Sequence, residues 1–539
     1  MNIAILHYHL NRGGVTQVIF NHLLALDSSL TGERWRVAVL FGGRYDTWLE
    51  RLKQLRSIDI SLCELPALDY NNSDDLTAQP AELGAAIASQ LAEVGFDPAE
   101  TVIHAHNATL GLNVSLPGAL TWLADRGYAT LLQIHDFAED FRAANFRRLV
   151  AAARAAGSTA IRDDGTDTGE PFESDLPQEA DTSYCYPQSS HIHYAVLSRR
   201  DYGVLSEAGV SRERLHLLRN PVCDPEESVP REAARKRLKS LFDIDQNDRY
   251  ILYPVRSVRR KNIGEALFRS LFAGPKTAFG ITLPPDSPAF HPVYESWKHL
   301  VEVLGLPCRF EVGRQGGLRY FENIAAADLI MTTSVVEGFG MVYLETWLTD
   351  HILTGRDLPE ITSDFTEFGI QYDRLSARLA SPIEWVGKRA FGTMLRDGYD
   401  QVLHAYGVVP NTDHEALEQR IEQRLDEGWV DFGELQEPMQ QLVVDHTARS
   451  NSAKSHLGEL NESIELSLSP PDQGARETIA RNADAVREQF GLRVKGRELE
   501  ALYRRVASAE RDHGSTPLQR PGRIIDFFLD ARRFRPLAT

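Results

Sequence analysis

Residues 334–346 read SVVEGFGMVYLET, and the fold can be assigned outward from this stretch. The preceding run, Ala327–Thr333, is apolar and β-prone, which predicts a buried parallel strand. The following run, Met341–Leu348, has helical composition. Glu337 is therefore expected in a strand-to-helix loop, and Glu345 about two turns into the helix.

Two carboxylates at this spacing can accept hydrogen bonds from two hydroxyl-bearing parts of one long ligand. Gly338 and Gly340 allow the backbone to approach that ligand, and free amides at the helix start favour an anionic one. A nucleotide sugar, with its hexose, diphosphate and ribose, has this form. The alternative is a capped, solvated helix that carries two unrelated glutamates.

A second informative stretch, YPVRSVRRKNIGEAL, covers residues 253–267. Here a predicted strand ends, and Arg256 and Lys261 follow at the loop and helix start. Cations at a helix start oppose its dipole unless an anion binds there. Two fixed cations would stabilise the negative charge that develops on a departing β-phosphate. Arg259 and Arg260 are expected to add positive potential while facing solvent.

Both stretches resemble those of retaining nucleotide-sugar glycosyltransferases with the GT-B fold, of the family 4-like group. Glu337 and Glu345 match its E-x7-E segment, and Arg256 and Lys261 match its G-R-x-x-x-x-K segment. The resemblance implies that Arg256 and Lys261 hold the donor diphosphate. It also implies that the donor phosphate takes the acceptor proton, that anomeric configuration is retained, and that no metal or other cofactor is needed.

The N-terminus fits the same family. Asn2–His9 predicts a strand, Leu10–Gly14 a loop and Val15–Leu26 a helix, the first unit of a doubly wound sheet. Gly13 and Gly14 match the family's glycine-rich loop, although a plain tight turn would look the same. His135 follows a predicted strand where the family places a histidine near the donor hexose. A satisfied buried histidine is the alternative.

The predicted site residues form two sets. The predicted catalytic residues are His135, Arg256, Lys261 and Glu337. The predicted donor-binding residues are Gly13, Gly14, Arg256, Lys261, Glu337, Gly338, Phe339, Gly340 and Glu345. Within the second set we expect Glu345 to bind the ribose and Glu337 the hexose.

Alternating strands and helices predict an α/β protein of the GT-B type, with two Rossmann-like domains facing a central cleft and a helical C-terminal elaboration. The length of 539 residues suggests at least two domains. We place the first at 1–222, with an acidic insertion at 155–190, and the second, donor domain at 223–515, with a helical extension from about 365. Residues 516–539 predict a helix that could return to the first domain. The predicted strands are Asn2–His9, Trp35–Phe41, Ile58–Leu62, Thr101–Ala105, Ala129–Ile134, His193–Leu197, Tyr250–Val255, Ala278–Leu283, Arg309–Val312 and Leu329–Thr333.

The match weakens after Glu345. Gly355 and Glu360 stand about where the family has a second glycine-rich loop and an acidic residue, but the match is loose. The region 365–515 reads as helical and charged, for example at Asp413–Glu427 and 474–510, and matches no common family pattern.

Three His-x-His pairs keep another class open. Alternate residues of a strand share a face, so each pair could ligate one metal in a metal-dependent hydrolase. That hypothesis leaves Arg256, Lys261 and the glutamate pair unexplained. A retaining glycoside phosphorylase and a catalytically silent sugar-binding protein are further alternatives within the fold. The three pairs are His7/His9, His104/His106 and His191/His193.

Composition limits the partners. The formal net charge of −18 argues against nucleic acid and against docking on anionic lipid. Four scattered cysteines are typical of a reducing cytoplasm, and neither a membrane span nor a signal peptide is expected. The expected partners are a UDP-, GDP- or ADP-hexose donor and a small soluble or glycan acceptor, such as a compatible-solute precursor. The oligomeric state stays open.

Overall fold

A computed structural model describes residues 1–11, 13–45, 51–71, 79–160, 182–407, 414–512 and 514–538. The chain forms two compact units. Unit 1 comprises Met1–Pro221, Val402–Val409 and Gln489–Asp530, and unit 2 comprises Val222–Gln401, Pro410–Glu488 and Ala531–Thr539. Among the helices described, none has the length and apolar character needed to cross a membrane.

Unit 1 is built on one seven-stranded parallel sheet in the order β3-β2-β1-β4-β5-β6-β7. The order reverses at β1, as in a doubly wound fold. The strands are β1 Asn2–Leu6, β2 Trp35–Phe41, β3 Ile58–Glu64, β4 Thr101–His106, β5 Ala129–Ile134, β6 Ile192–Val196 and β7 Leu215–Leu217.

The bounded helices described between these strands are α1 Gly14–Ser29, α2 Pro80–Glu93, α3 Leu116–Ala124, α4 Ala143–Ala160 and α5 Arg199–Ala208. The predicted insertion at 155–190 lies largely outside the described residues. Its described end is not a solvated loop, since Cys185 and Tyr186 are buried.

Unit 2 contains a second parallel sheet, of six strands, in the order β10-β9-β8-β11-β12-β13. The strands are β8 Arg249–Arg256, β9 Thr277–Leu283, β10 Cys308–Phe310, β11 Leu329–Thr332, β12 Leu353–Arg356 and β13 Leu375–Ser376. The helices of this part are α6 Arg231–Phe242, α7 Ile263–Ser270, α8 His291–Leu304, α9 Tyr320–Ala326, α10 Val342–Leu348 and α11 Pro359–Thr366.

The rest of unit 2 is mainly helical, around a short antiparallel pair formed by β14 and β15. The strands are β14 Ala380–Pro382 and β15 Trp429–Asp431. The helices are α12 Ile383–Val386, α13 Lys388–Tyr406, α14 His414–Glu427, α15 Glu437–Arg449, α16 Asn451–Leu460, α17 Ser463–Ser467 and α18 Gln473–Phe490. The last residues of α13 and α18 are grouped with unit 1.

The last two helices, α19 Leu492–Ala507 and α20 Gly522–Phe528, belong to unit 1. Helix α19 packs on α1, and Leu499 and Tyr503 join the core of the first sheet. Contact is close at Gly496, where a Cβ would lie 1.9 Å from the carbonyl oxygen of Ala25. The region 223–515 therefore does not form one domain, because the apolar face of α19 completes the core of unit 1.

Candidate functional site

Two loops at the sheet of unit 2 bring together the motif residues Lys261 and Glu337. Lys261 ends a short turn between β8 and α7, and Glu337 lies in the loop between β11 and α10. The Nζ atom of Lys261 is 2.5 Å from Oε1 of Glu337. Both side chains are largely buried, at 19% and 11% exposure. Residues 76 positions apart thus form one ion pair.

Hydrogen bonds to the backbone fix the position of Lys261. Its carbonyl oxygen accepts bonds from the hydroxyls of Tyr253 (2.6 Å) and Thr333 (3.0 Å). The amide of Val335 donates to the carbonyl of Arg260 at 2.8 Å. Because these bonds join the two loops directly, the ion pair is held in place before any ligand binds.

The ion pair keeps Glu337 charged. Burial alone would raise the pKa of its carboxyl group, but the charge and hydrogen bond of Lys261, with a smaller effect of Arg260, hold that pKa below its usual value. An ionised carboxylate offers acceptor positions beyond the one that Lys261 uses, so it can also accept hydrogen bonds from sugar hydroxyls.

Glu345 lies on α10 in a different environment. Its side chain is half-buried, and burial raises the pKa of its carboxyl group to about 7. Within the described ranges, no side chain or amide donates a hydrogen bond to this carboxylate. Hydroxyl groups of a ligand could supply the missing donors and would favour the ionised form.

The residues between the two glutamates have distinct roles. Gly340 has φ +80°, and a Cβ there would lie 2.7 Å from the ring of Tyr343, so the turn requires glycine. Phe339 is buried against Phe365, with ring centroids 5.4 Å apart. Its side chain is thus part of the core, and only its backbone is available to a ligand. Gly338 lies beside them in the same loop.

The basic residues of the first loop differ in exposure. Arg256 ends β8, is exposed, and forms an ion pair with the exposed Asp286. Arg260 is also exposed, as expected. The expectation was wrong for Arg259, which is half-buried and binds the carboxylate of Glu437 through two nitrogens at 2.7 and 2.9 Å.

A buried ionic network that the sequence did not reveal supports this loop. Arg356 binds Glu265 at 2.7 Å and Asp431 at 2.8 Å. Arg269 binds the other oxygen of Glu265 at 2.9 Å. Glu265 in turn accepts a hydrogen bond at 2.9 Å from the side chain of Asn262, the residue after Lys261. The network joins three distant stretches, so no local motif could indicate it.

The two positions proposed for a second ligand loop lie in regular structure. Gly355 is inside β12, and a Cβ there would lie 2.0 Å from the carbonyl oxygen of Thr332. This glycine therefore permits close strand packing. Glu360 lies in the first turn of α11 and pairs with Arg533 at 3.5 Å.

In unit 1, Gly13 caps α1 and Gly14 is its first residue. A Cβ on Gly14 would meet no described atom within 4 Å, and Gly13 has an extended φ of −173°. Packing among the described residues therefore does not require glycine at position 14. A ligand that approaches the backbone closely would require it.

His135 directly follows β5 and is buried. Its amide donates to the side chain of Asn107 at 2.7 Å, and its Nε2 lies 2.9 Å from Nδ1 of His106. Burial lowers the pKa of the His135 imidazole to about 4, against a raising effect of Asp136. His135 is therefore neutral near pH 7 and can donate or accept one hydrogen bond at each nitrogen.

The His-x-His pairs do not behave alike. His9 forms a hydrogen bond of 2.9 Å with the hydroxyl of Tyr70. The ring of His193 stacks on that of His216, and Nδ1 of His193 lies 2.8 Å from Nε2 of His216. His191 bonds a backbone carbonyl at 2.9 Å. The remaining pair, His104 and His106, lies fully buried beside His22 of α1. As found among the described residues, this group of three histidines includes no carboxylate, whereas the metal site of a hydrolase often has one.

No family model matches the chain. A mannosylglucosyl-3-phosphoglycerate synthase from Petrotoga mobilis is 26% identical over 489 residues, covering 88% of this chain and 87% of that protein. The structure of Anabaena Alr3699/HepE in complex with UDP and glucose matches with a TM-score of 0.51 and 12% identity, covering 94% of this chain and 99% of that one. Sucrose-phosphate synthase from Thermosynechococcus elongatus matches with a TM-score of 0.49 and 14% identity, covering 94% and 98%.

The match to Alr3699/HepE and the two parallel sheets confirm the predicted GT-B fold with two Rossmann-like units and a helical C-terminal part. The similarity to the curated synthase over most of both chains bears out the prediction that the chain is a glycosyltransferase.

Proposed function

We propose that the chain is a retaining glycosyltransferase that moves a hexose from a nucleotide sugar to a small anionic acceptor. The observation that carries this proposal is the largely buried ion pair of Lys261 and Glu337, 2.5 Å apart. On the adjoining helix, the carboxylate of Glu345 accepts no hydrogen bond from the described residues. The proposal assigns the cation to the diphosphate and the two carboxylates to ligand hydroxyls.

Lys261 and Arg256 are assigned to the donor diphosphate. Cleavage of the bond between sugar and phosphate leaves negative charge on the β-phosphate, and a fixed ammonium stabilises that charge more as the bond breaks. Lys261 suits this role because its backbone is fixed by Tyr253 and Thr333. Arg256 is exposed and its partner Asp286 is exposed too, so its guanidinium can exchange that carboxylate for phosphate.

Glu345 is assigned to the ribose hydroxyls and Glu337 to the hexose. Glu345 lacks hydrogen-bond donors among the described residues, which a ribose diol would provide. Glu337 stays ionised beside Lys261, so it is suited to bind hydroxyls rather than to act as an acid. We also assign His135 of unit 1 to the hexose, as the family resemblance implies.

No general base of the protein is included in this proposal. In a retaining reaction of this kind the leaving phosphate accepts the acceptor proton on the face where the new bond forms. The cations that stabilise this phosphate therefore contribute most of the catalytic effect.

The identity of the sugar and acceptor is proposed from the curated relative. That protein is named for a mannosyl group on glucosyl-3-phosphoglycerate, which carries both a phosphate and a carboxylate. We assign mannose as the transferred hexose and an anionic, phosphorylated sugar acid as the acceptor.

The test is a transfer assay of the purified full chain with UDP-, GDP- and ADP-linked hexoses and glucosyl-3-phosphoglycerate. We expect nucleoside diphosphate release that depends on the acceptor, and an α-configured product by NMR when the donor is α-linked. Lys261→Ala should abolish most of this release. The exposed Lys239→Ala, on α6, is the matched control and should keep it. In a parallel assay with a hexose 1-phosphate as donor, acceptor-dependent release of inorganic phosphate would instead identify a phosphorylase. An inverted product would refute retention.

A further inference from the structure

Three buried histidines of unit 1, here called the histidine cluster, consist of His22, His104 and His106. His22 projects from α1, whereas His104 and His106 alternate along β4 and so share one face of the sheet. All three side chains are at most 2% exposed. The nitrogens that could bind a metal lie within 4.8 Å of one another.

The cluster contains polar atoms without partners. Both ring nitrogens of His22 and Nε2 of His106 are buried and form no hydrogen bond in the described structure. Native proteins pair the great majority of their buried polar atoms. Three unpaired nitrogens on adjoining rings therefore indicate that the site accommodates a further group. Each neutral imidazole has one nitrogen with a free electron pair, which can bind a group that accepts electron pairs.

We propose that His22, His104 and His106 bind one divalent metal ion of the zinc class. Neutral imidazole is a preferred ligand of Zn²⁺ and of the related transition metals. Sets of three histidines are known to bind Zn²⁺ with one position left for another ligand. The family resemblance, by contrast, implies that no metal is needed.

The geometry requires only small adjustment. In a tetrahedral site, zinc–nitrogen bonds of about 2.0 Å place two ligand nitrogens ~3.3 Å apart. The ligand atoms of the cluster lie within 4.8 Å of one another, so they must approach by at most about 1.5 Å. A small rotation of the His22 ring, whose two nitrogens are bound to nothing described, can close this difference.

Side chains next to the cluster would orient the histidines that bind the metal. Nε2 of His104 lies 2.9 Å from the side-chain oxygen of Gln133. That oxygen can accept a hydrogen bond from a protonated Nε2, which leaves the unprotonated Nδ1 for the metal. The hydroxyl of Tyr503 lies 2.7 Å from that Nδ1. It would turn away from the nitrogen or occupy the fourth position on the metal.

The ion would also determine the proton position on His135. A metal on Nε2 of His106 leaves the proton on Nδ1, which lies 2.9 Å from Nε2 of His135 and donates to it. His135 then carries its own proton on Nδ1 and presents a donor to an oxygen of the substrate. This consequence rests on the proposed function, whereas metal binding itself does not.

The experiment measures metal content of the full chain without any sugar nucleotide, so its result is independent of the proposed transferase activity. Chelator-treated protein is dialysed against Zn²⁺ and analysed by mass spectrometry of the elements. It is also loaded with Co²⁺, whose visible spectrum reports tetrahedral nitrogen coordination. The variants are His22→Gln and His106→Gln. His216→Gln, a half-buried histidine of the same unit, is the control.

We expect about one Zn²⁺ per chain in the parent and the control, and at least about tenfold less in the two variants. X-ray absorption of the parent should show three imidazole ligands, a measurement that holds even if a variant does not fold. The proposal is refuted if the parent retains no Zn²⁺ or shows fewer than three imidazoles. It is equally refuted if folded His22→Gln keeps the metal content of the parent.

Discussion

Glu345→Gln should stabilise the protein and weaken nucleotide binding at the same time. Burial raises the pKa of the Glu345 carboxyl group from 4.5 to about 7. The folded state therefore binds this proton more tightly than the unfolded state does. The stability gained from the proton is complete below about pH 4.5 and is lost as the pH rises through about 7. Glutamine keeps the shape and never ionises.

The size of the effect follows from the same values. At ~1.36 kcal/mol per pH unit between 4.5 and about 7, the ionised carboxylate costs roughly 3 kcal/mol of folding free energy at pH 8. For a unit of this size, that corresponds to a rise in Tm of roughly 6 °C in Glu345→Gln at pH 8 and almost none at pH 4. Calorimetric scans across this pH range measure the difference. Glu302→Gln, an exposed glutamate of α8, is the control.

Whereas the folding stability of Glu345→Gln should rise, its affinity for nucleotide should fall. Hydrogen bonds from hydroxyls to a charged acceptor are stronger than those to an amide oxygen, so the variant should bind nucleoside diphosphate about tenfold more weakly at pH 8. At pH 6.5 the parent should release about three quarters of a proton on binding, because the ribose favours the ionised carboxylate. Titration calorimetry in two buffers measures this release, which Glu345→Gln should lose. A Tm difference that is constant with pH, or unchanged nucleotide affinity, would refute the assignment of Glu345.

Three further variants test the remaining assignments. Lys261→Ala should lower kcat by about 10²–10³ and raise the donor KM less, because its charge acts mainly on the departing phosphate; lost donor affinity at unchanged kcat would contradict this, and Lys239→Ala is the control in steady-state kinetics. Glu337→Gln should weaken sugar-nucleotide binding about tenfold relative to nucleoside diphosphate binding, because the diphosphate contacts Lys261 in both ligands and only the sugar nucleotide carries the hexose; equal changes of both affinities in calorimetric titrations would disprove the hexose assignment. Gly14→Val should lower turnover at unchanged nucleotide affinity, since no described atom lies within 4 Å of the added Cβ and only a ligand would meet it; a fully active variant would exclude this role.

The strands that the sequence predicted well are those with long apolar runs. The bounds of β2 and β5 coincide with the predicted Trp35–Phe41 and Ala129–Ile134, because a buried parallel strand is apolar on both faces. Strands β12 to β15 have two to four residues and contain arginine, serine or aspartate. Such short segments carry no periodic signal, and their position depends on neighbouring strands.

Site residues could likewise be predicted where a local motif marks them, but not where only the packing of distant segments brings them together. Lys261 and Glu337 could be found because each belongs to a short motif that directly follows a strand. The cluster of His22, His104 and His106 could be found only in part. The alternation of two histidines on β4 is visible in the sequence, whereas His22 stands alone on an apolar helix. Its position depends on how α1 packs on the sheet, which no spacing within the helix can specify.

The assignment of α19 failed for a related reason. Its charged sequence predicted a helix in the second domain, since chain order is the simplest guide to domain membership. Membership is decided instead by the face that the helix buries. Leu499 and Tyr503 pack into the core around β1 and α1, and Gly496 permits the close approach of the two helices. The apolar surface that this face completes belongs to the sheet of unit 1.

The charge of the proposed donor site would reconcile an acidic protein with the anionic substrate that we propose. With a formal net charge of −18, the chain as a whole repels a nucleoside diphosphate. The attraction must therefore come from nearby cations, whose effect extends over about 10 Å at ordinary ionic strength. Lys261 is paired with Glu337 and Arg256 with the exposed Asp286, so an arriving diphosphate first meets the exposed Arg260 and, once Asp286 is exchanged for phosphate, Arg256. In the proposed site, Lys261 then acts at short range, where Glu337 can exchange part of its hydrogen bonding from the lysine to the hexose. On this proposal, the buried pair keeps the lysine in position until the donor makes its charge available.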